Sequence, residues 1–127
     1  MPSFKKQTTA KKKTTSIGRR YENLAARFFL DNGYEILQRN WRSGRKEIDL
    51  IVKKDHLIAF VEVKAARSVR FGHPAEKVNQ KKRENLTQVA RQYLSEHGIE
   101  GMDLRFDVVT FVDGQIEHFP GAFEATG

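Results

Sequence analysis

From about Arg19 to Asn32 the apolar residues recur with helical spacing. Tyr21, Leu24, Ala25 and Phe28 fall at i, i+3, i+4 and i+7. Gly33 follows where a C-terminal cap belongs. "YEILQRNWR" predicts a strand of about seven residues, and "SGRK" a turn. "EIDLIVK" then alternates, placing Ile48, Leu50 and Val52 on one face and Glu47, Asp49 and Ile51 on the other. "KDH" turns the chain into "LIAFVEVKA", which is apolar on both faces, as a central strand requires. On that strand Ile58, Phe60, Glu62 and Lys64 share one face. A loop, "RSVRFGHP", leads to a second helix expected from Ala75 to His97, with a stripe of Val78, Leu86, Val89, Ala90, Tyr93 and Leu94 and a stop at Gly98. "LRFDVVTFV" alternates again. Asp113–Gly114 is a hairpin signal, and "QIEHF" returns as an edge strand. The order α-β-β-β-α-β-β, without internal repeats, predicts an α/β fold: a mixed central sheet of about five strands flanked by helices.

Composition narrows the class. The chain has 127 residues, 39% hydrophobic and 31% charged, which fits one globular domain. It has no cysteine, so disulfides and thiolate metal sites are excluded. No apolar run approaches the roughly 20 residues that span a bilayer, and no apolar stretch follows the basic N-terminus as in a secretory signal. A cytoplasmic protein with no membrane partner is the expectation. Residues 1–16 are Lys/Thr-rich and too poor in apolar side chains to offset their ordering entropy. They read as a disordered basic arm, either grazing nucleic acid or inert, ahead of a single domain over 17–127.

Charge changes the picture further. The net charge of +7 is carried by residues 1–20 alone, so the rest is neutral overall but polarised. Residues 39–91 hold fourteen Lys and Arg against six acids, while 92–127 hold one arginine against seven acids. A basic arm and a basic middle point to a polyanionic partner, with an ordinary solvated surface as the alternative.

Four charges then stand out within the most apolar segment: Glu47, Asp49, Glu62 and Lys64. Pairing of the two strands would set Asp49 beside Glu62. Close carboxylates repel and raise one pKa unless a cation lies between them. Mg2+ suits such a pair, since it accepts one or two carboxylates with water and phosphate completing its shell. Lys64, about 7 Å along the strand from Glu62, would orient a water or hold a phosphate oxygen. The set suits metal-assisted phosphodiester hydrolysis. The plainer reading is a salt-bridge cluster on a solvent face, which fits Glu47 better than it fits Glu62 and Lys64.

"EIDLI" followed by "FVEVK" resembles the core of the PD-(D/E)XK nuclease superfamily. With "GRRYENLAARFFLDNGYEIL", "NWR", "VEVKAARSVRFG", "VNQKK" and "RFDVV", the chain more closely resembles the YraN family, itself similar to Holliday junction resolvases. The likeness runs from about Gly18 to Val112. It implies a restriction-endonuclease-like core and a Mg2+- or Mn2+-dependent endonuclease acting on DNA. Asp49 and Glu62 would be the metal-binding acids, Lys64 the catalytic lysine, Glu22 an accessory metal ligand, Glu47 a helper and Lys82 a phosphate contact. The chain departs from the family in having Lys46 where glycine is usual and Ala66 where an arginine is common. Resolvases work as symmetric pairs, but no homodimer face is legible in the sequence. The rival is a non-catalytic nucleic-acid-binding module that keeps the fold.

Other residues carry two readings each. Glu22 shares a helix side with Ala25, Ala26 and Phe29 and would otherwise pair with Arg19. Lys82, four residues from Val78 and from Leu86, would snorkel or face phosphate. Arg67, Arg70, Lys77, Lys81 and Arg83 would ring the site against phosphates or simply be solvated. Trp41 is expected in the core rather than under a base, and Arg105 with Asp107 is expected as a structural ion pair. His56 is read as a solvated turn histidine, and His73 as a loop histidine without a role, with contact to phosphate or metal as its alternative.

Overall fold

A computed structural model describes residues 16–66 and 79–125. The basic arm up to residue 15 and the loop carrying Arg67, Arg70, His73 and Lys77 therefore lie outside the described residues, while Ser16 begins the first helix. The elements are α1 (Ser16–Asp31), β1 (Glu35–Ser43), β2 (Lys46–Lys54), β3 (Leu57–Ala66), α2 (Gln80–Glu96), β4 (Asp103–Val112) and β5 (Gln115–Phe123). They form one five-stranded sheet in the order β1-β2-β3-β4-β5. β3 and β4 are parallel and the other neighbours antiparallel, so this is a mixed α/β sheet with β3 at its centre.

Each face of the sheet buries one helix. Ala25, Ala26 and Phe29 of α1 pack with Leu50, Val52, Ala59, Val61, Val109 and Phe111. Leu86, Val89, Ala90 and Tyr93 of α2 pack with Ile58, Phe60, Phe106 and Val108 on the opposite face. Trp41 belongs to this second core, edge-on to Tyr93 at 5.3 Å between ring centroids, so packing accounts for it rather than base stacking. Among the described residues no helix is long and apolar enough to cross a membrane.

Four local expectations are corrected. Leu24 is 44% exposed, and the buried stripe of α1 runs through Ala25, Ala26 and Phe29, with two alanines letting the helix approach the sheet closely. Ile48 does not share a face with Leu50: it joins Ile51 in the α2-side core, while Leu50 and Val52 join the α1 side. The alternation of β2 thus breaks between Ile48 and Leu50. α2 starts at Gln80 rather than Ala75, because Asn79 is extended (φ −77°, ψ 178°) and its side chain accepts the Lys82 N–H at 2.9 Å, an N-cap. β5 continues past Phe119 to Phe123. Pro120 is tolerated on this edge strand, and the extension is tied down by the Gly121 N–H donating to Asp107 Oδ1 at 3.1 Å.

Asp107 is fully buried and forms the expected ion pair with Arg105, a two-pronged one with both contacts at 2.7 Å. His118 Nε2 reaches the same carboxylate at 2.7 Å, and Arg105 also donates to the Tyr34 hydroxyl at 2.8 Å. Burial alone would raise the Asp107 carboxyl, but the hydrogen bonds from His118, Arg105 and Gly121 outweigh it and hold it below its ordinary value. A depressed acid contributes stability above its unfolded pKa and loses it as pH falls through the folded one. His118→Phe keeps the ring that packs against Phe28 and Phe29 but removes the contact to Asp107. We expect it to cost about 1 kcal/mol in urea unfolding at neutral pH and to shift acid unfolding to higher pH. An unchanged urea midpoint would show that Arg105 and Gly121 suffice.

Candidate metal and phosphate site

The break in β2 opens a cleft. The last rung between β2 and β3 is Leu50↔Val61. One step further Asp49 reaches across, and its Oδ2 accepts the Val63 N–H at 2.8 Å, so a side chain takes over where the ladder ends. The cleft has a volume of about 540 Å³ and lies between α1, the parting strands and α2. Glu22, Glu47, Asp49 and Glu62 line it, with Arg45 and Lys82. It sits toward the C-terminal end of β3, the end at which open α/β sheets commonly bind ligands.

Asp49 lies in this cleft with its carboxyl raised well above the usual range. Burial contributes most, the charge of Glu62 next, and Glu22 and Glu47 add to it, against the opposing hydrogen bond from Val63. Glu62 is 6% exposed and faces α2. Lys82 Nζ approaches its Oε2 at 2.8 Å and Lys64 Nζ at 3.4 Å. Burial works against the Lys82 ammonium, but the charge and hydrogen bond of Glu62 outweigh it and raise its pKa. Glu22 accepts a hydrogen bond from Asn40 Nδ2 at 3.2 Å. Glu47 pairs with Arg42 at 3.3 Å, the salt bridge anticipated for the start of its strand.

The structure therefore brings Asp49, Glu62, Glu22, Glu47 and Lys82 to one cleft. Lys64 touches Glu62 from outside the lining, and Lys82 is the nearer ammonium. Lys81 is exposed, and Arg83 lies over the Phe123 ring at 5.5 Å; neither lines the cleft. Arg45 and Lys46 do line it; sequence reading passed over Arg45 and noted Lys46 only as a departure, not as a site residue. Lys46, the departure from the family glycine, hydrogen-bonds Gln88 of α2. The signal for both was their position in the turn immediately before "EID".

A cation is compatible with this donor set. Asp49 and Glu62 offer hard oxygen ligands, and the raised carboxyl of Asp49 marks a charge that the fold disfavours without a cation beside it. Among the described residues no three His, Asp or Glu side chains converge closely enough to hold an ion by themselves. Two carboxylates with water and phosphate is the arrangement that remains, and it suits Mg2+.

Residues 21–111 match the Uncharacterised protein family UPF0102. A UPF0102 protein of Chloroherpeton thalassium is 44% identical over 97 residues, covering 76% of this chain and 75% of its own. Another, from Caldicellulosiruptor bescii, is 46% identical over 101 residues, covering 78% of this chain and 85% of its own. Among solved structures SSO0001 aligns with a TM-score of 0.46 at 17% identity, covering 87% of this chain and 52% of that one. The matched span holds α1 from Tyr21 onward, the four cleft acids and the whole of β3. This chain belongs to the uncharacterised protein family UPF0102, to which its YraN-like residues pointed.

Proposed function

We propose that this chain is a Mg2+- or Mn2+-dependent endonuclease acting on DNA phosphodiester bonds, including branched or junction DNA. The observation that supports it most is the raised carboxyl of Asp49 beside Glu62 in a cleft that also holds Lys82. In this reading Asp49 and Glu62 hold the cation, with Glu22 and Glu47 at its periphery. The bound cation supplies Lewis-acid polarisation of the phosphoryl group and an acidified water. Lys82, on the helix face above Glu62, binds a phosphate oxygen and positions the strand. Lys64 orients the attacking water from the far side of Glu62 and neutralises charge that develops on the phosphoryl oxygens. Arg45 and Lys46 extend the cationic rim along the DNA backbone. The setting is the cytoplasm, and a homodimer would place two such clefts on one junction.

The experiment is cleavage of linear, flapped and four-way DNA in Mn2+ by wild type and Lys64→Ala. Wild type should cut, and Lys64→Ala should be slower by about 100-fold or more while still binding DNA. Equal rates would remove Lys64 from the chemistry.

A second reading is a binding module that keeps the fold without catalysis. It is favoured by one observation: Glu62 already carries two ammonium partners. It predicts no cutting of any DNA, with binding that falls steeply with salt and ignores changes at Asp49.

A further inference from the structure

Asn40 has a left-handed backbone in the middle of a strand. Its φ is +53°, within β1 (Glu35–Ser43). The other non-glycine residues with positive φ among the described residues are Asp55 and Asp113, and both sit in hairpin turns. No chain reversal calls for the conformation at Asn40, because the ladder continues on both sides of it, through Arg39↔Leu50 and Trp41↔Ile48. Asn40 thus lies across from Asp49.

The conformation has a visible consequence. In regular β structure Arg39 and Asn40 would point to opposite faces. Here both reach the same helix. Arg39 donates to Asn23 Oδ1 at 2.5 Å, and Asn40 Nδ2 donates to Glu22 Oε1 at 3.2 Å. Two successive β1 side chains grip two successive α1 residues, and one of those is a cleft carboxylate. Asparagine suits the task. It accepts positive φ more readily than most residues, and its amide donates to a carboxylate, which aspartate would repel.

We infer that Asn40 is a positioning residue: its left-handed backbone turns the carboxamide toward α1 and fixes Glu22 at the rim of the cleft beside Asp49, in place to support a divalent cation. The inference rests on the reading of the cleft as a cation site. It differs from that reading in assigning the placement of Glu22 to a strained residue outside the acid set. Glu22 acts here as an outer partner, which agrees with the lack of a convergent three-acid cluster among the described residues.

The test uses the full chain, calorimetric titration with Mn2+, and thermal melting in chelator. Asn40→Gly keeps positive φ without strain and removes only the carboxamide. It should hold the wild-type melting temperature or exceed it, while Mn2+ affinity falls roughly tenfold, the usual scale for an outer partner of a ligating group. Glu22→Gln approaches the same contact from the other end and should lose a similar factor. The double variant should lose no more than either single one, because the two residues act as a unit. A lower melting temperature in Asn40→Gly with unchanged Mn2+ affinity would make Asn40 a purely structural residue. Unchanged affinity in Glu22→Gln, or additive losses in the pair, would also overturn the inference. Wild type giving no heat with Mn2+ would overturn the cation site itself and this inference with it, an outcome told apart by the wild-type titration alone.

Discussion

Asp49→Asn is expected to abolish Mn2+ binding and DNA cleavage while raising the melting temperature of the chelated protein. The substitution keeps size and shape, and the amide oxygen can still accept the Val63 N–H that Asp49 accepts now. It removes a charge that burial and Glu62 both disfavour. The sign follows from linkage. The folded pKa of Asp49 lies above its unfolded value, so the unfolded chain ionises first as pH rises. Wild type therefore loses stability between its unfolded pKa, near 4, and the higher folded one, and Asp49→Asn does not. The two proteins should melt together near pH 3.5 and separate toward neutral pH. A separation of about 1 kcal/mol, or about 5 °C for a domain of this size, is the scale expected for relieving one such site. Cleavage should fall by at least about 1,000-fold, because the cation has lost one of its two principal ligands. Saturating Mn2+ should then reverse the order, since only wild type gains binding free energy from it. A variant less stable than wild type at neutral pH in chelator would mean that Asp49 is held by favourable contacts. The argument for a cation between Asp49 and Glu62 would then lose its basis.

Much of this frame was legible in the sequence, and the failures on α1 and β2 share a cause. β3 announced itself as central because residues 57–65 are apolar on both faces, and it is flanked by β2 and β4. Asp113–Gly114 announced its hairpin, and both residues do have positive φ. In the frame Tyr21-Leu24-Ala25-Phe28 only Leu24 failed: Tyr21, Ala25 and Phe28 do pack on the sheet, but the most buried stripe, followed upward from Phe29 through Ala26 and Ala25, leads to Glu22. A hydrophobicity pattern discards a glutamate at the head of a stripe, whereas a cleft at the end of the sheet accommodates it. The break in β2 was hidden for a related reason. Alternation is read from residue types, while Asn40 on the neighbouring strand departs from β geometry in a way its letter does not declare. Asp49, Glu62 and Lys82 could be singled out because each is a charge on an otherwise apolar face. Arg45 could not, because a charged residue in a turn is ordinary; Lys46 stood out only as a departure from the family glycine, and Asn40 is an ordinary polar letter inside a strand. On α1 and β2 the local rules held where packing alone decides the structure and broke where the acids gather.

Lys82→Met should show whether that gathering is built around a replaceable cation. Lys82 Nζ lies 2.8 Å from Glu62 Oε2, and its pKa is raised by that carboxylate against the opposing effect of burial. Methionine retains an apolar stem of similar length and removes the ammonium. Among the described residues Glu62, with its side chain 7% exposed, would keep only Lys64 at 3.4 Å as an ion-pair partner and would still face Asp49. Removing one partner of a fully buried pair costs about 3–5 kcal/mol. Because the Lys82 side chain is 39% exposed, solvent screening reduces the expected loss to about 2 kcal/mol in chelator. A raised lysine contributes its stability below its unfolded pKa and loses it as pH rises through the folded one. The gap between wild type and variant should therefore be flat from pH 6 to 9 and close only at strongly alkaline pH. Mn2+ then separates two accounts of the pair. If ammonium and metal ion compete for Glu62, the variant has nothing to displace, so Mn2+ should bind it more tightly than wild type and raise its melting temperature further. At about 100 times Kd the recovery would be about 2.7 kcal/mol, enough to erase the loss. Cleavage should nonetheless fall about 100-fold, because the strand has lost the ammonium that positions its phosphate. Equal Mn2+ shifts in the two proteins would mean that Lys82 and the metal never share Glu62. The ion pair would then be a fixed part of the fold, and the non-catalytic reading of the cleft would gain the stronger claim.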